Sequence, residues 1–552
     1  MSVFLQRVKP AAPTRNQTQD RRWIYVPYDR LTDRAGPLFE TPAAETGIVM
    51  VESLEKGTRR PYHKKKLALL LANERHFALE QAARGVKLIY IFTRGSFGEG
   101  LLEAQIKYAL RQITMMRPAE RELRLDLDDA RKQGLQLAEA DDATWLTSEA
   151  EFDQVFGQSQ NFLMDRFYRA MRKRSGVLME NGKPAGGKFS YDQENRKPFR
   201  GEIPVPNRPG YAPDAITSEV LQLVARQFPA HFGSLDGFDL PVTAKDCRAT
   251  WNFALKHLLP HFGPWEDAMV ATQPDLFHSK ISALMNLSRV LPRDAVDDVA
   301  AAYAKGYIPL ASAEGFIRQI LGWREFMRHV HRATDGYRNL PVPYEKPAKG
   351  RYAGAAPTAL HATRPLPDVY WGVPSGLHCI DTVVAQVVRE GWSHHITRLM
   401  VLSNLATLCG FSPRALTDWF WIAYVDAYDW VVESNVLGMA TFSDGGVTAT
   451  KPYVSGAAYI NRMSNYCKGC SLDPKRTTGP GSCPFTALYW SFLERNRDTL
   501  SSNQRLAMPY ATLRKKPAGE RKALRERADS AIADLEGATT RSQLACGTLR
   551  EE

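Results

Sequence analysis

The stretch from Trp23 to Phe92 decides the fold of the N-terminal region: WIYVP (23–27), GIVMV (47–51), KKKLALLLANERHFALEQAARG (64–85) and VKLIYIF (86–92). Short β-type runs alternate with a run of helical spacing, and that alternation predicts an α/β domain with a doubly wound parallel sheet. In such sheets ligands lie beyond the carboxyl ends of the strands, here near Asp29 and the segment from Glu52 to Tyr62. No G-x-G-x-x-G and no P-loop lies there, so no phosphate motif announces a ligand.

Working outward, residues 1–20 carry Lys and Arg but no apolar h-region, and are expected to fray as a disordered basic extension, not to act as a secretory signal. The α/β unit is bounded at 21–155. Residues 156–214 run from a basic aromatic segment, RFYRAMRKR (166–174), into a stretch rich in Gly, Pro and Asn, and read as a long interdomain connector. Interleaved Phe167 and Tyr168 make the basic run a candidate for touching nucleic acid. From 215 to 515 helical periods take over, as in 382–410 and 413–439, and predict a large all-helical domain holding nine of the eleven tryptophans. Residues 516–552 read as an exposed, charged helix and a loose tail.

At 552 residues the chain is too long for one core, and its formal charge of +12 implies an anionic partner, with nucleic acid first. No run of about eighteen apolar residues suggests a membrane span. Reduced cysteines fit the cytoplasm.

Three of the seven cysteines, Cys467, Cys470 and Cys483, fall within seventeen residues. A C-x2-C pair lets one ion or cluster take both sulfurs, and a third cysteine followed by proline is common in iron–sulfur sites. Cys379, in the Gly/Pro-broken WGVPSGLHC (371–379), is the best candidate for a fourth ligand, whereas Cys247 and Cys409 read as ordinary helix residues. On spacing alone a cluster, zinc, buried free thiols and a disulfide all stay open.

Further motifs carry a resemblance: HKKK (63–66), GGKFSYDQENR (186–196), EGFIRQILGWREFMR (314–328), HHITRLM (394–400), DAYDW (426–430), GMATFSDGG (438–446) and YINRMSNYCKGC (459–470). Together, over about residues 45–515, they resemble the prokaryotic iron–sulfur branch of the photolyase/cryptochrome family, which includes bacterial (6-4) photolyases. The resemblance implies an α/β antenna domain, a connector reaching a DNA lesion and a helical FAD-binding domain with a [4Fe–4S] cluster on Cys379, Cys467, Cys470 and Cys483. The implied activity is light-dependent repair of (6-4) pyrimidine photoproducts in double-stranded DNA by a monomer in the bacterial cytoplasm or nucleoid. A photoreceptor without repair activity is the alternative. A non-photochemical iron–sulfur nucleic-acid protein is a more distant third.

The resemblance also implies site residues. His278, Ser279, Lys280, Ile281 and Ser282 match the flavin diphosphate segment, and Trp323, Arg324, Arg398, Asp426 and Asn435 match further flavin contacts. An arginine beside the ring would stabilise the anionic reduced flavin. His395, with His394 and Tyr453 nearby, matches the catalytic group beside the lesion, where a histidine suits proton movement near neutral pH. Trp419 and Trp371 match an electron-transfer chain. Asp192, Arg196 and Glu325 match lesion or DNA contacts, with a Mg2+ ion implied near Asp192. The chain departs from the family's pattern at Phe420, where a tyrosine is common, with Trp421 and Trp430 as detours, and at Val432, where a glutamate is expected. In the antenna domain, where relatives bind 6,7-dimethyl-8-ribityllumazine, the motif reads YDRL (28–31), and Lys56 and Tyr62 replace acidic and histidine positions.

Overall fold

A computed structural model describes residues 2–545 apart from 15, 158, 160 and 347–349, with side chains described up to 537 except at residue 16. Five parallel strands, β1 (Arg22–Tyr25), β2 (Thr46–Ser53), β3 (Lys87–Thr93), β4 (Ile113–Met116) and β5 (Leu137–Ala140), form a sheet in the order β3-β2-β1-β4-β5. β2 is buried along its whole length, as its unbroken apolar run requires of a strand covered on both faces. Gly47 opens that run because the Trp23 indole crosses it: a Cβ there would lie 2.5 Å from the ring. The predicted long helix spans Lys64–Ala83 and packs between the sheet and the helix Ala215–Gln227.

The helical domain closes over the carboxyl ends of the strands. Lys66 Nζ donates to the carbonyls of Trp421 (2.8 Å) and Ala427 (2.6 Å), and His63 N donates to Ile422 O (2.8 Å). Among the described residues no helix is long and apolar enough to cross a membrane.

Three expectations need correction. The start of the chain does not fray: Val3–Val8 is a helix whose Phe4 is fully buried against Tyr90 and below the Arg75 guanidinium, and Val3 N donates to Glu219 (2.8 Å). Phe4 and Val8 lie one turn apart and make an apolar stripe, and this stripe pins the segment. The basic run at 166–174 lies in the helix Met164–Ser175, where Phe167 and Tyr168 are fully buried and the Tyr168 hydroxyl donates to Glu314 (3.0 Å), so neither ring is free for nucleic acid. The C-terminal helix, Ala518–Ala545, is exposed on one face only over 518–537, where its side chains are described. Leu524, Ala528, Ile532 and Leu535 bury its other face, which lies on the helix Pro484–Arg495. The expected tail beyond 545 lies outside the described residues.

Candidate cofactor cleft, histidine group and cysteine site

A deep cleft in the helical domain encloses about 1450 Å³, counting its open mouth. Its walls are the loop His278–Ser282, the helical stretch 310–333, the segment from Trp392 to Arg398, the helices that carry Phe420 and Asn435, and the turn between them that carries Asp426. Three of these walls contain wide π turns, Arg318–Arg324, Thr397–Ser403 and Glu433–Ala440. Such turns break the 3.6-residue repeat and re-aim side chains, here Trp323, Arg324, Arg398 and Asn435.

Arg398 grips Asp426 with both Nη atoms (3.0 and 2.9 Å), and its Nε donates to Ser393 O (2.8 Å). Ser282 Oγ donates to the same carboxylate (2.6 Å). Burial alone would push the Asp426 carboxyl up, but Arg398 and Ser282 together hold it below its usual range, so the pair stays ionised inside the fold. Lys280, in the left-handed region at φ +56°, bonds Asp275 (2.9 Å) and Glu390 (3.1 Å) and covers the Trp392 ring. Asn435 Nδ2 donates to Val431 O (2.8 Å), while Arg324 stacks on Trp145 at 3.9 Å. The cleft thus offers paired cations and hydroxyls at its rim and apolar walls from Phe262, Phe316, Ile320 and Val432. His394 also lines the cleft, and its buried Nδ1 has no protein partner. These features fit a large, partly anionic, partly planar ligand such as FAD.

At the mouth, His278, His394 and His395 bring one ring nitrogen each within 4.8 Å of one another. Burial lowers His278 to about 3, with His395 adding to the effect, and takes His394 well below the usual range, with His278 and His395 adding to it. His278 points its two nitrogens at the carbonyls of Asp275 and Glu266. Only His395 is substantially open, with 41% of its side chain exposed, and its Nε2 lies 3.5 Å from Asp267. Sequence reasoning missed Asp267, which lies in a loop without a motif.

The other expected site residues divide. Tyr453 does not line the cleft. It is half-buried and faces the charges of Asp192 and Arg196, and its phenol is pushed up by burial and by Asp192. Asp192 pairs with Arg196 and, at 3.2 Å, with Arg318. With two guanidiniums already on that carboxylate, and no carboxylate group among the described residues assembled around a common point, these residues do not fit a divalent ion. Glu325 is a correction: it is fully buried, and its carboxylate accepts from Leu146 N (3.1 Å), Thr147 N (3.0 Å) and Thr147 Oγ1 (2.7 Å), so it ties a loop to the core and does not face DNA. Trp419 is fully buried with Nε1 donating to Tyr370 O (2.7 Å), and its ring touches Phe420, a cleft residue (5.0 Å between centroids). Trp371 is 38% exposed. Trp430 lines the cleft, but Trp421 lies under the Arg60 guanidinium (3.7 Å), outside the cleft lining. Val432 reaches the cleft, while Glu433 turns away to His331 (2.9 Å) and Arg414 (2.8 Å).

Cys379, Cys467, Cys470 and Cys483 line one small void with Leu377, Tyr466 and Phe485, and none is in a disulfide. Cys379 begins the helix His378–Glu390, and Cys483 caps the helix Pro484–Arg495. Burial and the three neighbouring thiols push Cys379 well above its ordinary range, and burial takes Cys467 to about 11. Burial also raises the Cys483 thiol, and sulfurs held in their thiol form by burial suit a centre whose positive charge reverses that preference. Cys247 and Cys409 are buried in helices as expected.

The strand ends of the α/β domain are different. Lys56 Nζ bridges Glu120 (2.6 Å) and Glu122 (3.3 Å) beside the Tyr28 and Tyr62 rings, and Arg30 bridges Asp29 (3.0 Å) and Asp142 (2.6 Å). All of these side chains are buried. Tyr28 Oη and Glu120 Oε2 keep no protein partner, but a heterocycle placed there would have to part buried ion pairs. The residues do not fit a bound lumazine.

Residues 24–240 match the family model described as deoxyribodipyrimidine photo-lyase-related protein. The chain is 36% identical, over 92% of its length and 98% of the relative's, to the (6-4) photolyase of Agrobacterium fabrum. In three dimensions it is similar to a bacterial class III photolyase from Agrobacterium tumefaciens (TM-score 0.54, 14% identity, 94% of this chain and 98% of that one). It is also similar to a Synechocystis cryptochrome (TM-score 0.53, 15% identity, 93% and 98%). The architecture, an α/β sheet capped by a helical domain with a deep cleft, is therefore the one that photolyases and cryptochromes share. The chain belongs to the bacterial photolyase/cryptochrome family.

Proposed function

We propose that this protein is a (6-4) photolyase that repairs pyrimidine photoproducts in double-stranded DNA, with FAD in the cleft and His395 as the proton-handling residue. The observation that carries the reading is the mouth of the cleft: one open histidine, backed by two neutral ones and flanked by Asp267. The 36% identity to the Agrobacterium fabrum (6-4) photolyase supports repair over a signalling role. FAD, when bound and reduced, would supply on excitation the electron that the lesion accepts.

The chain's own residues do the rest. Arg398 and Asp426 keep a fixed cation and anion at the cleft wall without an unpaired buried charge. His395 is the member of the histidine group that meets both solvent and a carboxylate, and its Nε2 is placed to hand a proton to a lesion oxygen. The apolar wall, including Val432, excludes water around the ring. Trp419, backed by Tyr370, is placed to relay electrons inward, with exposed Trp371 next in sequence to Tyr370. Arg196 and the net charge of +12 draw the phosphate backbone. Cys379, Cys467, Cys470 and Cys483 would hold a [4Fe–4S] cluster, and iron and sulfide counts on purified protein check that assignment. No lumazine or Mg2+ role is assigned.

To test the function, a duplex oligonucleotide with one (6-4) lesion is irradiated with the reduced protein. Light-dependent return of intact pyrimidines is expected for wild type, and its loss in His395→Ala with the flavin band retained. Unchanged lesion under light with flavin-loaded wild type would overturn the reading.

A further inference from the structure

The cysteine site and the histidine group are joined by a short backbone path. Met463, Ser464 and Asn465 immediately precede Tyr466 and Cys467. Met269 N donates to Met463 O (2.9 Å), Met269 and Ser464 pair as a parallel bridge, and Ala271 N donates to Asn465 Oδ1 (2.9 Å). The segment held this way begins at Glu266, whose carbonyl faces His278 Nε2 (3.1 Å), and includes Asp267, 3.5 Å from His395. From the other side, the helix that starts at His378 and Cys379 ends at Glu390, which binds Lys280, and the chain then turns through Trp392 into His394 and His395. Both chain segments that supply sulfurs therefore also hold a wall of the histidine pocket.

We propose that Asn465 is a positioning residue for repair: its side-chain oxygen carries the fixed geometry of the cysteine site to the Glu266–Ala271 segment, and so sets the Asp267 carboxylate against His395. The proposal rests on the reading of His395 as the lesion-side proton carrier. The hydrogen bond needs only an acceptor at Oδ1, so aspartate at 465 preserves it and alanine does not. A shift of the Asp267 backbone by even an ångström releases the imidazole from its carboxylate, and misplacement on that scale costs catalysis far more than stability.

The test uses the full chain loaded with flavin and cluster, in three variants: Asn465→Ala, Asn465→Ser and Asn465→Asp. Single-flash repair by pre-reduced protein should fall about tenfold in Asn465→Ala, less in Asn465→Ser, and hardly at all in Asn465→Asp, with cluster and flavin absorbance unchanged. In an Asp267→Asn background, Asn465→Ala should add no further loss. The second readout is independent of repair: carbethoxylation of His395 by diethyl pyrocarbonate, followed by mass spectrometry, should speed up severalfold in Asn465→Ala and not in Asn465→Asp. Equal His395 reactivity in all three variants, equal impairment of alanine and aspartate, or additive losses with Asp267→Asn would overturn the proposal. If Asn465→Ala fails to load its cofactors, the ranking of serine against aspartate decides. Wild type that repairs nothing, but whose His395 reactivity follows residue 465, would count against the functional reading alone.

Discussion

The cleft of the helical domain and the strand ends of the α/β domain both gather arginines, lysines and carboxylates, half-buried in the first and buried in the second, yet one stays open and the other is shut. In the cleft the charges pair along the wall: Arg398 lies flat against Asp426, and Lys280 against Asp275 and Glu390. The space between the walls is left to a ligand. At the strand ends the charges pair across the gap, Lys56 from one side meeting Glu120 and Glu122 from the other. A parallel sheet provides a crevice by topology, but the direction in which its ions pair decides whether anything binds there.

Breaking the pair at the cleft wall should have the largest effect. Asp426→Ala leaves the Arg398 guanidinium buried without its anion, at a cost of about 3–5 kcal/mol, and removes the acceptor of Ser282. Urea melts of the variant should show that loss, and the purified protein should carry little flavin. Full flavin occupancy at wild-type stability would mean the pair does not shape the cleft.

The shut region gives the next prediction. Lys56→Met should destabilise by about 2–3 kcal/mol, less than the cleft variant, because Glu120 can take up a proton. Burial, with the nearby Asp429 and Glu122 charges, already pushes that carboxyl well up. Lys56→Met with Glu120→Gln should recover part of the loss. For wild type, saturating 6,7-dimethyl-8-ribityllumazine should leave Tm unchanged, since a ligand bound to the folded state would raise it. A rise of several degrees would show that the strand ends open after all.

The pH dependence is smaller and belongs to the cleft mouth. His278 is lowered to about 3 in the fold against about 6.5 unfolded. Between those values the unfolded chain binds the extra proton, so the stability from His278 is full above pH 6.5 and is lost as pH falls toward 3. From pH 7 to pH 5 this one group removes about 2 kcal/mol. Denaturant melts at the two pH values should show a stability change that differs by about 2 kcal/mol between wild type and His278→Gln. The same pH dependence in wild type and His278→Gln would refute the buried neutral histidine.

How much of this was legible in the sequence depends on how local the cause is. The alternation from Trp23 to Phe92 determines strands and helix by period alone, and the cysteine spacing brings Cys467, Cys470 and Cys483 to the void they share with Cys379. Glu325 matches a lesion contact in the family's pattern, yet its own helix holds the opposite signal: His329, one turn on, is fully buried, and both meet Thr147. Phe167, Tyr168 and Met171 likewise mark an inward face that Arg169 and the flanking Arg166, Lys173 and Arg174 disguise. Asp267 and the three π turns left no such trace. The carboxylate gains its role only when a distant loop brings it to His395, and a π turn depends on packing that no residue period encodes.

The smallest expected effect concerns the route for electrons into the open region. Trp419 touches Phe420, which reaches the cleft, and a phenylalanine is too hard to oxidise to hold a charge, so electrons must pass it in one longer step. Phe420→Tyr adds one hydroxyl at a residue that lines the cleft and should change stability by about 1 kcal/mol or less. Photoreduction of the oxidised flavin, followed by the decay of its visible band, should become severalfold faster. Repair by chemically pre-reduced protein should be unchanged, because that reaction does not use the route. Faster photoreduction in Trp419→Phe than in Phe420→Tyr would place the route elsewhere, with Trp430, already in the cleft wall beside Trp145, as the remaining aromatic entrance.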